Sequence, residues 1–142
     1  MAMNQMLMKT IGKVHSALYR LTSGSLGAKL GGRPMLLLTT TGRKSGKSRT
    51  TPLQYMTDGE NMVVVASNGG NQRHPAWWFN IDANPEATAQ AGKVTQRVRA
   101  ETANEEERAR LWPILVEGYP GYQGYEDETE RTVPVVILRP QQ

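Results

Sequence analysis

The chain contains no cysteine and only two histidines, His15 and His74, in 142 residues. Disulfides, thiolate nucleophiles and thiolate metal sites are therefore excluded, and a structural zinc site lacks ligands. Aromatic area is scarce, with one Phe, three Trp and five Tyr. No apolar run approaches the ~20 residues needed to cross a bilayer. The start shows no apolar core followed by a small-residue cleavage site, so a cytoplasmic protein is expected. Acidic residues are absent from positions 1–50, which carry nine Lys or Arg; positions 51–142 carry eight basic and thirteen acidic side chains. Such a basic half attracts anions or serves solubility.

What is present suffices for one domain with a real core. Gly and Pro, 14 and 8 in number, imply many turns. Leu7, Ile11, Val14, Leu18 and Leu21 recur at helical spacing, so an amphipathic helix is expected over about 3–22. With Lys9, Lys13 and Arg20 beside the stripe, it either covers one side of its own domain or touches an anionic membrane surface. The first reading is preferred.

Met35–Thr41 reads as a fully buried strand, and 49–57 and 61–66 as strands joined at Asp58-Gly59. Pro75 suits the first turn of a helix capped by Asn71 or His74 and ending near Asn84-Pro85. A hairpin follows over 86–91 and 94–101, turning at Gly92-Lys93. Asn104 and Glu107 have capping-box spacing before a helix carrying Leu111, Trp112, Leu115 and Val116, which Pro113 should kink. The last strand is placed at 133–138. Six strands with short links predict a largely antiparallel barrel with peripheral helices, one α+β domain over 1–142.

The stretch 42–49, Gly-Arg-Lys-Ser-Gly-Lys-Ser-Arg, holds four cations among glycines and serines. It falls one residue short of a P-loop, and Pro52 continues a strand where a P-loop opens a helix. Nucleotide hydrolysis is set aside. Nucleic acid is set aside as well, because Trp77, Trp78 and the tyrosines are not interleaved with the cations. A phosphate or a polycarboxylate suits the loop.

Leu36 through Gly46, with Arg49 and Pro52-Leu53, resembles the deazaflavin-dependent nitroreductase family of mycobacteria and other actinobacteria. The resemblance continues through Ser67-Asn68-Gly69-Gly70, Pro75-Ala76-Trp77, Asn80, Ala83-Asn84-Pro85, Glu106-Glu107-Arg108, Trp112-Pro113 and Tyr119-Pro120 with Tyr122 and Tyr125. It implies a split β-barrel like that of pyridoxamine-phosphate oxidases. It also implies coenzyme F420, a flat 8-hydroxy-5-deazaflavin with a phosphate and an oligoglutamate tail. The implied reaction is hydride transfer from the reduced coenzyme to a quinone, nitroaromatic or enone, without a metal. By position, Arg43, Lys44 and Ser45 match residues holding the tail and phosphate. Arg49, Thr50, Thr51, Pro52, Leu53 and Gln54 match the strand along the ligand. Val65, Ala66, Ser67 and Asn68 match the loop at the ring, and Ala76, Trp77, Trp78, Phe79 and Asn80 the helix start beside it. Tyr122 matches a tyrosine over the coenzyme, and Tyr119 and Tyr125 match acceptor-pocket residues. The chain differs from the family's nitroimidazole-reducing member at Asn68, at Trp78-Phe79 and at Gly121, differences that bear on the acceptor.

Two roles stay open at several positions. Ser67 either hydrogen-bonds a ring or acceptor oxygen or merely ends a strand. Trp77 either walls the acceptor pocket or packs in the core, where Trp78 is expected. The three tyrosines either close over the acceptor or form a surface loop. His74 is read as a helix-entry residue. The rival functions are an FMN enzyme of the same barrel and a non-catalytic carrier of the coenzyme. A monomer is expected.

Overall fold

The computed structural model describes residues 29–30 and 33–141. The helix expected over 3–22, and any membrane contact it makes, lies outside the described residues. The strands are β1 (Lys29–Leu30), β2 (Arg33–Thr41), β3 (Ser48–Gln54), β4 (Met56–Asp58), β5 (Asn61–Val65), β6 (Glu86–Ala91), β7 (Val94–Thr102) and β8 (Val135–Pro140). The helices are α1 (Ala76–Ala83), α2 (Glu105–Gly118) and α3 (Gly121–Asp127).

Every strand pairing is antiparallel. Eight strands are described, where six were expected. The difference has two sources. β1 is a two-residue hairpin extension of β2. β3 and β4 are one chain segment interrupted at Tyr55, whose N–H donates to Pro34 O at 3.3 Å. That bent segment pairs β2 with its first half and β5 with its second. With β5–β8, β8–β7, β7–β6 and β6–β2 ladders, this closes a ring.

Two apolar clusters explain the continuous apolar runs. Leu36, Leu38, Val64, Ala89, Val98 and Leu138 belong to one, inside the ring. Val63, Val65, Val135 and Ile137 belong to the other, with Leu111 and Leu115 of α2 and Tyr122 of α3. Successive residues of β5 and β8 thus point alternately into two different cores, so neither face can be polar. Burying a Val or Leu side chain on each face contributes about 1.5–3 kcal/mol per residue before entropy is counted.

Local signals hold at several element ends. Asp58 pairs with Asn61 around Gly59-Glu60, and Gly59 takes φ +62°. Ala91 pairs with Val94 around Gly92-Lys93. Asn104 Oδ1 accepts from Glu107 N at 2.8 Å and Asn104 N donates to Glu107 Oε1 at 3.1 Å, a complete capping box. The chain stays helical through Pro113.

Two expectations fail for identifiable reasons. The last strand starts at Val135, two residues late; Pro134 has no N–H for a ladder, and its carbonyl instead accepts from Ala66 N at 2.9 Å. Neither Asn71 nor His74 caps α1, which begins after Pro75 without a side-chain cap. Asn71 Oδ1 accepts from Arg73 N at 2.9 Å and His74 Nδ1 meets Arg131, so both side chains are engaged elsewhere.

Candidate active site

The bend at Tyr55 creates the site. β3 pairs with β2 from Met35↔Gln54 to Thr41↔Ser48, which uses one of its edges. On the other side β5 pairs with β4 only as far as Met56↔Val63. Among the described residues no ladder joins β3 to the continuation of β5 through Val65, Ala66 and Ser67. No residue of β3 is fully buried. The barrel is therefore split between Arg49–Gln54 on one side and Val65–Asn68 on the other. A strand edge of this kind presents backbone donors and acceptors to whatever lies against it.

At the start of β3 lies the basic loop. Gly42 N donates to Lys47 O and Gly46 N to Gly42 O, both at 2.8 Å, which closes the loop on itself. Gly42 is closely covered: a Cβ there would sit 2.9 Å from Ser45 Oγ and 3.2 Å from Lys47 O, so a side chain would have to turn Ser45 aside and shift the loop. Asn80 of α1 is buried and joins the loop to the barrel. Its Oδ1 accepts from Arg43 N at 3.1 Å, and its Nδ2 donates to Thr40 Oγ1 at 3.2 Å. The Arg43 guanidinium lies 4.6 Å from the Phe79 ring centroid. Arg43, Lys44, Ser45 and Lys47 are exposed and Arg49 is half-buried. The ion pairs among the described residues involve none of these four cations. Cations gathered without carboxylate partners leave a positive field for an anion.

At the other end of β3 is a pocket of about 380 Å³, lined by Gln54, Tyr55, Met56, Leu115, Tyr119 and Tyr122 among others. Tyr119 and Tyr122 meet edge to face at 4.7 Å, and the Tyr119 and Tyr125 hydroxyls are 2.9 Å apart. Trp112 Nε1 donates to Gln123 Oε1 at 2.9 Å, holding α3 on α2. Tyr122 is buried in the outer core as well as lining this pocket. Flat, mostly apolar walls with phenol hydroxyls suit a planar acceptor.

The turn after β5 is built by contacts with α3 and the residues that follow it. Asn68 takes φ +49°, and its Nδ2 donates to Arg73 O at 2.9 Å. Gly70 has φ +83°, and a Cβ there would lie 2.7 Å from Glu128 Oε2 and 3.5 Å from Tyr125 Cα. The turn is thus packed against α3. Thr129 Oγ1 and Glu130 N both donate to Gln72 Oε1, at 3.0 and 3.2 Å. Burial holds the His74 imidazole below its usual range, and the neighbouring Arg131 guanidinium adds to the effect.

The basic loop leads directly into β3, whose far end shares a pocket with Tyr119 and Tyr122, and Gly70 of the turn after β5 packs on Tyr125 and Glu128; Trp77 lies apart from all of these. Trp77 is 5% exposed inside the ring core, where it seats α1 on the barrel; the expectation that it walls a pocket is corrected. Trp78 is only half-buried. It stacks on His74 at 4.4 Å and its Nε1 donates to Thr102 Oγ1 at 3.2 Å. Ala76 is exposed at the helix start. Sequence reasoning missed Arg131, which bonds the turn at four points, and a polar groove of about 550 Å³ lined by Thr39, Thr41, Ser48, Thr88 and Arg97 among others. No spacing rule marks either, since both arise from residues distant in the chain.

An elongated ligand with a polyanionic end and a flat end fits this arrangement. The seven residues of β3 span roughly 23 Å between loop and pocket at ~3.3 Å per residue. The split barrel is a fold shared with structures of low sequence identity. A Listeria innocua protein provisionally named a pyridoxamine 5'-phosphate oxidase shares the fold at TM-score 0.54 and 14% identity, over 76% of this chain and 84% of its own. The chain belongs to the F420H(2)-dependent quinone reductase family, which matches residues 8–140. It is 40% identical over 130 residues to F420H(2)-dependent quinone reductase Rv1261c of Mycobacterium tuberculosis, covering 89% of this chain and 87% of that one. A solved F420-H2 dependent reductase, FDR-A, superposes with TM-score 0.70 at 42% identity, over 75% of this chain and 95% of its own. A protein solved as a domain-swapped dimer superposes with TM-score 0.72 at 36% identity, over 92% and 99%. The family's coenzyme is reduced F420 and its members are oxidoreductases.

Proposed function

We propose that this chain is a reductase of the FDOR-A type, similar to the deazaflavin-dependent nitroreductases, that uses reduced F420 to reduce quinones and related electron-poor acceptors. The observation that carries this reading is the placement of three features along one strand: cations outside the ion pairs of the described residues, an edge that joins no ladder among those residues, and an apolar pocket. Arg43, Lys44, Ser45 and Arg49 would hold the phosphate and glutamate tail. Thr50 to Gln54 and Val65 to Asn68 would hold the ring between two strand edges. Tyr119 and Tyr122 would wall the acceptor, and Tyr125 would support Tyr119. The reduced deazaflavin, when bound, supplies the hydride; the chain would orient both partners. Asn80 and Phe79 fix the loop from below. A monomer acting in the cytoplasm is our reading, testable by sedimentation equilibrium.

Titration of the purified chain with the deazaflavin and with FMN, followed by fluorescence, tests the proposal. Tighter binding of the deazaflavin, weakened by salt as screened charge pairs require, is expected. Equal affinity for FMN would sink it. Quinone turnover distinguishes an enzyme from a carrier of the coenzyme.

A further inference from the structure

We propose that Arg131 is a positioning residue for the cleft: its guanidinium locks the Ser67–Asn71 turn and brings to the ring end of the site a positive charge that forms no ion pair among the described residues. The proposal rests on the coenzyme reading above. Arg131 lies in the link between α3 and β8, far in sequence from the turn. Its Nε donates to Asn71 O at 3.0 Å. Its Nη1 meets His74 Nδ1 at 2.9 Å, and its Nη2 donates to Ala66 O at 3.2 Å and Ser67 O at 2.8 Å. One planar fork thus holds both ends of a single turn, a task the point charge of lysine cannot reproduce.

All four acceptors are neutral, since His74 must present an unprotonated Nδ1 to receive the bond. Arg99, Arg108, Arg110 and Arg139 each pair with a carboxylate, whereas Arg131 has none within ion-pair distance among the described residues. Its charge is half-buried. A charge screened less by water acts more strongly on an anion placed at the turn. The turn also needs holding. Asn68 is a non-glycine residue at φ +49°, a conformation that persists when surrounding contacts impose it. Because Gly70 and Gln72 pack against α3 and the residues after it, the same clamp joins the coenzyme wall to the tyrosine segment.

The test compares Arg131→Lys, which keeps the charge and loses the fork, with Arg131→Gln, which loses both. Amide hydrogen exchange at 67–71 is measured without coenzyme, then deazaflavin affinity, then kcat and KM for a quinone. Faster exchange at 67–71 is expected in both variants, with the barrel strands unchanged. Coenzyme affinity should fall by ~10-fold or more in Arg131→Gln, one tenfold step in binding, and be partly recovered in Arg131→Lys. Unchanged exchange in both variants overturns the clamp. Faster exchange with unchanged affinity also overturns the proposal, because the clamp would then serve the fold alone. Equal losses in the two variants remove the charge from it. Should Arg131→Gln not fold, the wild-type side chain still decides: its Nε proton should exchange slowly at neutral pH, and exchange at the rate of free arginine would refute the clamp. Absence of deazaflavin binding to the wild type would instead sink the coenzyme reading, leaving the exchange result intact.

Discussion

The Tyr119 hydroxyl lies 2.9 Å from the Tyr125 hydroxyl, while the Tyr119 ring sits edge-on to Tyr122 at 4.7 Å. One tyrosine before α3 is therefore fixed by two within it: Tyr119 lines the pocket, and the direction of its hydroxyl is set by Tyr125. Tyr119→Phe keeps the ring and its packing. If the hydroxyl assists the reduction, quinone turnover should fall by ~10²-fold or more, the usual scale of general-acid help, with deazaflavin affinity nearly constant. Tyr125→Phe should lower turnover less. Wild-type turnover in both variants and in Ser67→Ala would assign protonation to water and leave the tyrosines as walls.

The loop at 42–49 makes a different prediction. Arg43→Ala and Lys44→Ala should each weaken deazaflavin binding by about 1–3 kcal/mol, the worth of a hydrogen bond to a charged group. Turnover at saturating coenzyme should change little, since the loop stands a strand's length from the tyrosine pocket. A large fall in turnover at unchanged affinity would contradict that placement.

Asn80 separates geometry from direct contact. Asn80→Ala leaves Thr40 Oγ1 and Arg43 N without a partner in a largely buried setting. A loss of about 2 kcal/mol in stability is expected, from the ~1–3 kcal/mol cost of an unsatisfied buried polar group, together with weaker coenzyme binding through a displaced loop. Unchanged stability in chemical denaturation would show that the loop holds itself.

Trp77 illustrates what the chain reveals before it folds. The six-strand ring, the capping box at Asn104 and both hairpin turns are written in local patterns: period, Gly position, Asn-to-Glu spacing. The alternation of Val63 and Val64 between two cores appears in sequence only as an apolar run. The choice between pocket and core for Trp77 depends on which side of α1 meets the barrel, and no local pattern in Ala-Trp-Trp-Phe-Asn decides it. The cationic loop was legible because its residues are contiguous. Arg131 and the Thr-lined groove were not, since each depends on tertiary neighbours more than thirty positions away.

Its burial makes Trp77 a stability residue. Trp77→Ala should cost about 3–5 kcal/mol, the range for removing a large aromatic side chain from a core, and Trp77→Phe less. If Trp77→Ala unfolds at the wild-type denaturant midpoint and changes only the KM for quinone, the side chain lines a pocket after all.

His74 supplies the pH dependence. Its imidazole is held below the ordinary value of 6.5, first by burial and then by the Arg131 charge. The folded chain therefore binds fewer protons at this site than the unfolded chain does. Stability from this site is complete above pH 6.5. It falls as the unfolded imidazole protonates below that point, and levels off once the folded one protonates too. A protonated His74 can no longer accept from Arg131 Nη1, and two cations then stand where one hydrogen bond was. The Glu128 carboxylate lies against Gly70 in the same turn, so the midpoint of the wild type alone is not diagnostic. His74→Phe retains an aromatic ring for Trp78 and Phe79 and cannot titrate. The stability difference between wild type and His74→Phe, measured by urea unfolding from pH 8 to pH 5, should shrink as pH falls below 6.5. Faster exchange at 67–71 should accompany the change in the wild type only. A difference that stays constant across this range would mean that His74 titrates alike in both states and that its bond to Arg131 does not depend on the neutral ring.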